Sequence, residues 1–260
     1  MRSFLAFFKK ELLEALRRGK LLFLALLFVG FGIMNPAITQ MTPWLMDLMA
    51  EDLAASGIVI GQLTADALTS WAQFFKNIPM ALIAFVLICG SCFTKEYGSG
   101  TLILVLTKGL SRYKVVLAKS ILLLGLWTLG YWLCFGVTYG GNALLWDNGT
   151  VAGFLPAAVN WWVFGCLTVA LTVLFSVVFR SYPLVLLGTG GSVLLLYLLE
   201  LLLGLWPKLA GKTPMALLNS GVLLMGLETE ETFVVALVTA GVGSLACLVG
   251  SVFLFNKKQL

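Results

Sequence analysis

Residues 77–119 read NIPMALIAFVLICGSCFTKEYGSGTLILVLTKGLSRYKVVLAK. The stretch changes character several times. From 77 to 95 it is an apolar run, closed by the charged pair Lys95-Glu96. Gly98 and Gly100 then turn the chain, and a short apolar segment from about Thr101 to Thr107 reads as a helix before Lys108-Gly109 turns it again. After Ser111-Arg112 a second apolar run begins, with Lys119 one turn inside it. A helix of about 20 apolar residues crosses a bilayer core at 1.5 Å per residue. The stretch therefore predicts two membrane-crossing helices joined by a loop that carries a small helix of its own.

The same kind of run recurs on both sides, at 21–38, 115–139, 155–179, 184–206 and 233–255, besides 77–95. A backbone in lipid must satisfy its own hydrogen bonds, so each run is a helix. Composition agrees. The chain has 260 residues, 60% hydrophobic and 11% charged, whereas soluble domains carry about 25% charged residues. The expected fold is an all-α membrane protein of six transmembrane helices, a single domain over 1–260 without internal repeats. Residues 213–226 are apolar but too short to cross, and suit an interfacial or re-entrant piece.

Orientation follows from the cations. With the N-terminus in the cytoplasm, only Lys76, Lys208 and Lys212 of the 17 Lys and Arg residues fall outside. That is the positive-inside pattern, and it puts both termini in the cytoplasm of an inner (plasma) membrane protein. Lys119 is expected to snorkel back to the inner headgroups. The net charge of +5 sits at the ends of apolar runs, which argues against nucleic acid as a partner and for the lipid bilayer.

Residues 1–20 form an amphipathic N-terminal elbow helix. Ser3 reads as its N-cap, and Phe4, Leu5, Phe8, Leu12 and Leu16 form an apolar stripe that would lie in the membrane interface. The stretch is not expected to be a cleaved signal peptide. Residues 40–76 read as a long outer loop with helical pattern, Leu45, Leu48, Met49 and Leu53 on one face, ended by Ser56-Gly57. Trp71 and Phe75 close that loop as candidate pathway or gate residues. Glu200 joins them as the acidic residue well inside a span, where an ionisable group faces protein or a water-filled path. Asn148-Gly149-Thr150 fits both a turn and a glycosylation sequon, and Gly136-x-x-x-Gly140 fits close helix packing.

The chain has no histidine, which removes most zinc sites and the commonest general base. The five cysteines, including Cys89-x-x-Cys92, lie in apolar runs and read as packing residues. An enzyme is not expected, and neither a metal nor a catalytic residue is assigned.

The loop after the second span resembles that of the ABC-2 family of transporter permeases, whose pattern there is E-x-x-x-G-T-L, then S-R, then K. The matching residues are Glu96, Gly100, Thr101, Leu102, Ser111, Arg112 and Lys119. Family members often carry a proline before the serine-arginine pair, where this chain has Lys108-Gly109-Leu110. The resemblance implies an N-terminal elbow, six spans, and a coupling helix within 96–112 that docks in a cleft of an ABC ATPase (nucleotide-binding) subunit. Leu102, Leu104, Val105 and Leu106 would then supply apolar docking surface, and Glu96 and Arg112 would fix the helix by charge-assisted hydrogen bonds. Gly211-Lys212-Thr213 lacks the upstream glycine of a phosphate-binding loop, so ATP and Mg²⁺ are expected in that partner subunit. A second permease subunit, as a homodimer or with a paralogue, is implied as well. The expected function is the membrane pathway of an ATP-driven exporter for an amphipathic, lipid-like or peptide substrate. A non-transporting scaffold or assembly factor, and an ion-driven secondary transporter, are the alternatives.

Overall fold

The computed structural model describes residues 2–55, 65–107, 109–206 and 210–258. The chain forms α1 (Arg2–Arg17), α2 (Lys20–Ala55), α3 (Ala67–Cys89), α4 (Thr94–Ser99), α5 (Thr101–Thr107) and α6 (Arg112–Leu145). It continues through α7 (Phe154–Val178), α8 (Tyr182–Leu203), α9 (Gly221–Leu224) and α10 (Val234–Lys257). No strand occurs among the described residues. Six stretches are long and apolar enough to cross a membrane: Lys20–Leu48, Ala67–Ser99, Arg112–Leu145, Phe154–Val178, Tyr182–Leu203 and Glu230–Lys257.

α7 is the central helix. Over its most apolar 18 residues 61% are buried, against 11% for α8, which lies at the edge. α6, α8 and α10 pack on α7, while α2 runs along α3 and α6. The core is rich in aromatic rings. Trp127 meets Phe28 and Phe85 edge-on, and Trp71 packs among Phe74, Phe135 and Phe154.

Close packing falls at glycines other than the expected pair. Gly136 and Gly140 face open space. Gly165 instead lies under the Trp127 ring, where a Cβ would come within 2.1 Å of Cζ2, and Gly130 lies under Phe28 at 2.4 Å. The motif alone could not identify these sites, because the partner of each glycine is a large ring on another helix.

The first span does not end near residue 38. α2 runs on to Ala55 through Pro36 and Pro43. A proline inside a helix orphans the carbonyl four residues earlier. For Pro36 that carbonyl is Gly32, and Thr138 Oγ1 of α6 donates to it at 3.1 Å. The same hydroxyl accepts from Asn35 Nδ2 at 2.9 Å, and Asn35 Oδ1 accepts from Asn77 Nδ2 of α3 at 2.8 Å. This buried polar relay ties three helices and lets α2 continue. The outer loop expected over 40–76 is thus helical to Ala55 and again from Ala67; Ser56-Gly57 lies outside the described residues.

Residues 213–226 do not cross. They form a 3₁₀ turn at Pro214–Asn219 followed by α9, and Met215, Leu217, Leu223 and Leu224 are buried between the helices. Asn148 is also buried. Its Oδ1 accepts from Trp71 Nε1 at 3.1 Å and its Nδ2 donates to the Tyr139 carbonyl at 3.1 Å, so the turn reading holds and the side chain is not presented for glycosylation.

Candidate functional site

The loop between α3 and α6 contains two short helices. Gly100 has φ of 68° between them and Gly109 has φ of 86° after them, conformations that suit glycine. α5 spans Thr101–Thr107, the range read from the sequence. Its Leu102 is 1% exposed and packs into the protein's own core, with Leu106 partly buried against it. The side chains of Leu104 and Val105 lie outside the described part. Leu102 is therefore held by this chain. The open edge of the loop is formed by Lys95, Gly98, Ser99, Thr101 and Thr107 instead.

Both ends of the loop are tied down by charge. Glu96 is turned inward, toward Lys119 of α6 and Lys10 of α1. Lys119 is 3% exposed and does not snorkel. Its Nζ donates to Glu11 Oε2 at 2.7 Å and to the Cys92 carbonyl at 3.2 Å, and stands 3.2 Å from Glu96 Oε2. The contact with Glu96 Oε2 is an ion pair without hydrogen-bond geometry. The Phe7 and Phe93 rings flank the ammonium at 5.9 and 5.5 Å. Lys10 adds bonds to Glu11 at 2.8 Å and Glu14 at 3.1 Å, and Arg18 meets Glu14 at 3.0 Å. Burial alone would raise the Glu11 carboxyl, but Lys119 and Lys10 outweigh it and hold the group below the usual carboxylate range.

This cluster corrects the reading of the elbow. α1 begins at Arg2, so Ser3 sits within the helix and does not cap it. The inward face is Phe7, Glu11 and Ala15, all buried, while Leu5 and Leu16 of the expected stripe point outward. The larger apolar stripe dominates the pattern and hides the carboxylate of Glu11 on the buried face. The available signal was Lys119: a cation placed inside a span calls for an anion.

Arg112 anchors the other end of the loop. Its Nη1 donates to the carbonyls of Phe255 at 3.2 Å, Asn256 at 3.3 Å and Lys258. These belong to the C-terminal end of α10, whose carbonyls have no helical partner and carry the negative end of the dipole. Ser111 is the N-cap residue of α6 but makes no side-chain capping bond. Lys258 Nζ in turn donates to the carbonyls of Val177 and, at 3.1 Å, Val178 at the end of α7, and Tyr97 Oη donates to Val177 at 3.3 Å.

At the other end of the bundle, a cavity of about 880 Å³ opens between α3, α8, the 210–225 segment and the start of α10. Phe75 and Glu200 both line it, with Lys76 and Glu228. Glu200 lies in the last turn of α8 and accepts from Gly211 N at 3.1 Å and Thr213 Oγ1 at 2.5 Å, so it fastens the following loop to the helix. Trp71 does not join them, being fully buried in the aromatic cluster.

A family model described as ABC-2 family transporter protein matches residues 5–231. Comparison with curated proteins and with solved structures finds no match.

Proposed function

The chain belongs to the ABC-2 family of transporter proteins, and we propose that it forms the membrane pathway of an ATP-driven exporter, coupled through the α4–α5 loop to a separate ATPase subunit. It is a multi-pass membrane protein of the permease type. ATP and Mg²⁺ are bound by the partner ATPase, and two permease subunits, alike or paralogous, complete the pathway. Both termini lie in the cytoplasm of a plasma membrane, in line with the cation distribution.

The observation that carries the reading is the way the loop is held. Its inner face is locked by Leu102, and its ends are clamped by Glu96 to α1 and α6 and by Arg112 to α10. A connector needs no such fixing; a lever does. The docking surface is then the open edge with Ser99, Thr101 and Thr107. The outer cavity, with Phe75, Val222 and Met225 beside Lys76 and Glu228, supports an amphipathic cargo.

The test uses Ser99→Trp and Thr101→Trp, on the open edge, with Thr229→Trp on an exposed outer turn as control. All three variants should insert and reach wild-type levels. Retention of a co-expressed ABC ATPase on the purified permease should drop about tenfold for the first two, and ATP-dependent transport with it. Full retention and transport in both would reduce the loop to an ordinary connector. Leu102→Asp is unsuitable here, because it would bury a charge in the permease's own core.

A further inference from the structure

A cleft of about 570 Å³ opens where α1, the start of α2, the inner end of α3 with α4, and α6 meet. Its floor is apolar, with Phe23, Ile88, Leu122 and Leu126. Its walls are charged, and the charges do not cancel. The three carboxylates present, Glu11, Glu14 and Glu96, are matched by three cations, Lys10, Arg18 and Lys119. Lys20 and Lys95 also line the cleft, and neither has an acidic partner among the described residues. Two surplus positive charges thus stand over an apolar floor. They stand at the level where the first apolar stretch begins, at Lys20, and the second passes into the loop.

We propose that this cleft binds an anionic phospholipid, its phosphate held by Lys20 and Lys95 and one acyl chain laid over Phe23, Ile88 and Leu122. The carboxylates do not oppose this, because each is already neutralised by its own cation. A free phosphate ion would satisfy the lysines and leave the floor bare, whereas a lipid uses both. Basic pockets between membrane helices recognise anionic headgroups by this combination. The assignment requires only that the chain spans a membrane, and stands whether or not it transports. Its consequence is mechanical: the lipid would brace the elbow against the loop and α6, the three parts the charged cluster already joins.

The experiment titrates the purified full chain, in neutral detergent micelles, with phosphatidylglycerol, phosphatidylcholine or inorganic phosphate. Bound lipid is counted by native mass spectrometry, and the unfolding temperature is followed in parallel. Phosphatidylglycerol should bind in preference to phosphatidylcholine and raise the unfolding temperature. Lys20→Gln and Lys95→Gln should each weaken it about fivefold, equivalent to about 1 kcal/mol per cation near an anionic surface, and together about 25-fold. Arg17→Gln, an elbow cation outside the cleft, should change nothing, and the pair Lys20→Arg with Lys95→Arg should retain binding. Should the double glutamine variant fail to fold, Leu122→Trp decides, since it fills the floor and should weaken the lipid alone. Undiminished phosphatidylglycerol binding in the double glutamine variant, or in Leu122→Trp, overturns the proposal. An equal stabilisation by inorganic phosphate, lost in the glutamine variants, also overturns it in favour of a soluble anion.

Discussion

Replacing Lys119 by methionine removes the cation at the centre of the charged cluster while nearly preserving the shape of the side chain. The structure sets the size of the effect. Lys119 is 3% exposed and Glu11 is 8% exposed, so neither is solvated by bulk water. Removing one member of a buried pair costs about 3–5 kcal/mol, because the remaining charge stays buried without its partner. Two carboxylates lose a partner here, at 2.7 and 3.2 Å. Lys10 still reaches both, at 2.8 and 3.3 Å, but its side chain is 45% exposed and its attraction is correspondingly screened. The expected loss is therefore about 3 kcal/mol, the lower end of the range for a broken buried pair. For a chain of this size that corresponds to a fall of roughly 6–12 °C in unfolding temperature. Glu11→Gln leaves Lys119 with Glu96 and should cost less, about 1–2 kcal/mol. In Lys119→Met with Glu11→Gln one of the two orphaned carboxylates is gone and only Glu96 remains, so the double variant should cost less than the two singles together, by about 1–2 kcal/mol. The assay is thermal unfolding of the purified variants in one detergent, read by intrinsic tryptophan fluorescence. A Lys119→Met variant that melts within about 2 °C of wild type would refute the reasoning. It would mean that the ammonium reaches water and that the cluster contributes no more than a surface ion pair.

Gly165→Ala should lower the unfolding temperature, because its Cβ would meet the Trp127 ring at 2.1 Å; overpacking of this kind costs about 1–3 kcal/mol, and an unchanged melt would show that the ring has room to move. Thr138→Val keeps the side-chain shape but strips the donor from the Gly32 carbonyl and the acceptor from Asn35, a loss of about 1–3 kcal/mol measurable by the same melt. Acidification should destabilise the elbow: Glu11 is held below its ordinary value, so its stabilisation is present above the usual carboxylate range, near pH 4.3, and is lost as the pH falls through the lowered native value. Glu11→Gln should flatten that part of the pH profile of protease resistance at residues 1–20, and an unchanged profile would remove Glu11 from the account.

The spans and the α5 helix were legible because both rest on local signals. Apolar runs of bilayer length and glycine-bounded turns need no knowledge of distant residues. α5 was read with its observed ends because Gly100 and Lys108-Gly109 bracket it in sequence. What escaped depends on contacts far along the chain. α2 continues past Pro36 because Thr138, 106 residues after Gly32, supplies the missing donor. Nothing local marks Glu11, because its partner Lys119 lies 108 residues away. The family pattern located Glu96, Arg112 and Lys119; the structure pairs Glu96 with Lys119 and adds partners that the pattern did not contain, Lys10 for Glu96, Glu11 for Lys119 and the α10 carbonyls for Arg112. Phe75 and Glu200 were chosen separately and do meet in one cavity, whereas Trp71, chosen for its place near the interface, is consumed by packing and its bond to Asn148.

The polar links around the α4–α5 loop form a closed circuit. Glu96 joins α4 to α6 through Lys119, Arg112 joins α6 to the end of α10, Lys258 joins that end to α7, and Tyr97 returns from α7 to α4. Three of the four links carry a charged side chain, the Glu96–Lys119 ion pair and the bonds from Arg112 and Lys258, and the fourth is a neutral bond from Tyr97. The circuit links this end of α4, α6, α7 and α10 to one another, and α1 joins it through Glu11 and Lys10. α8 stands outside the circuit. It is the least buried of the spans, and its Glu200 anchors lie at the opposite end of the bundle. The ties of α8 to its neighbours are of another kind: Tyr182 at its start donates to the Leu87 carbonyl of α3, and Glu200 at its end lines the cavity with Phe75.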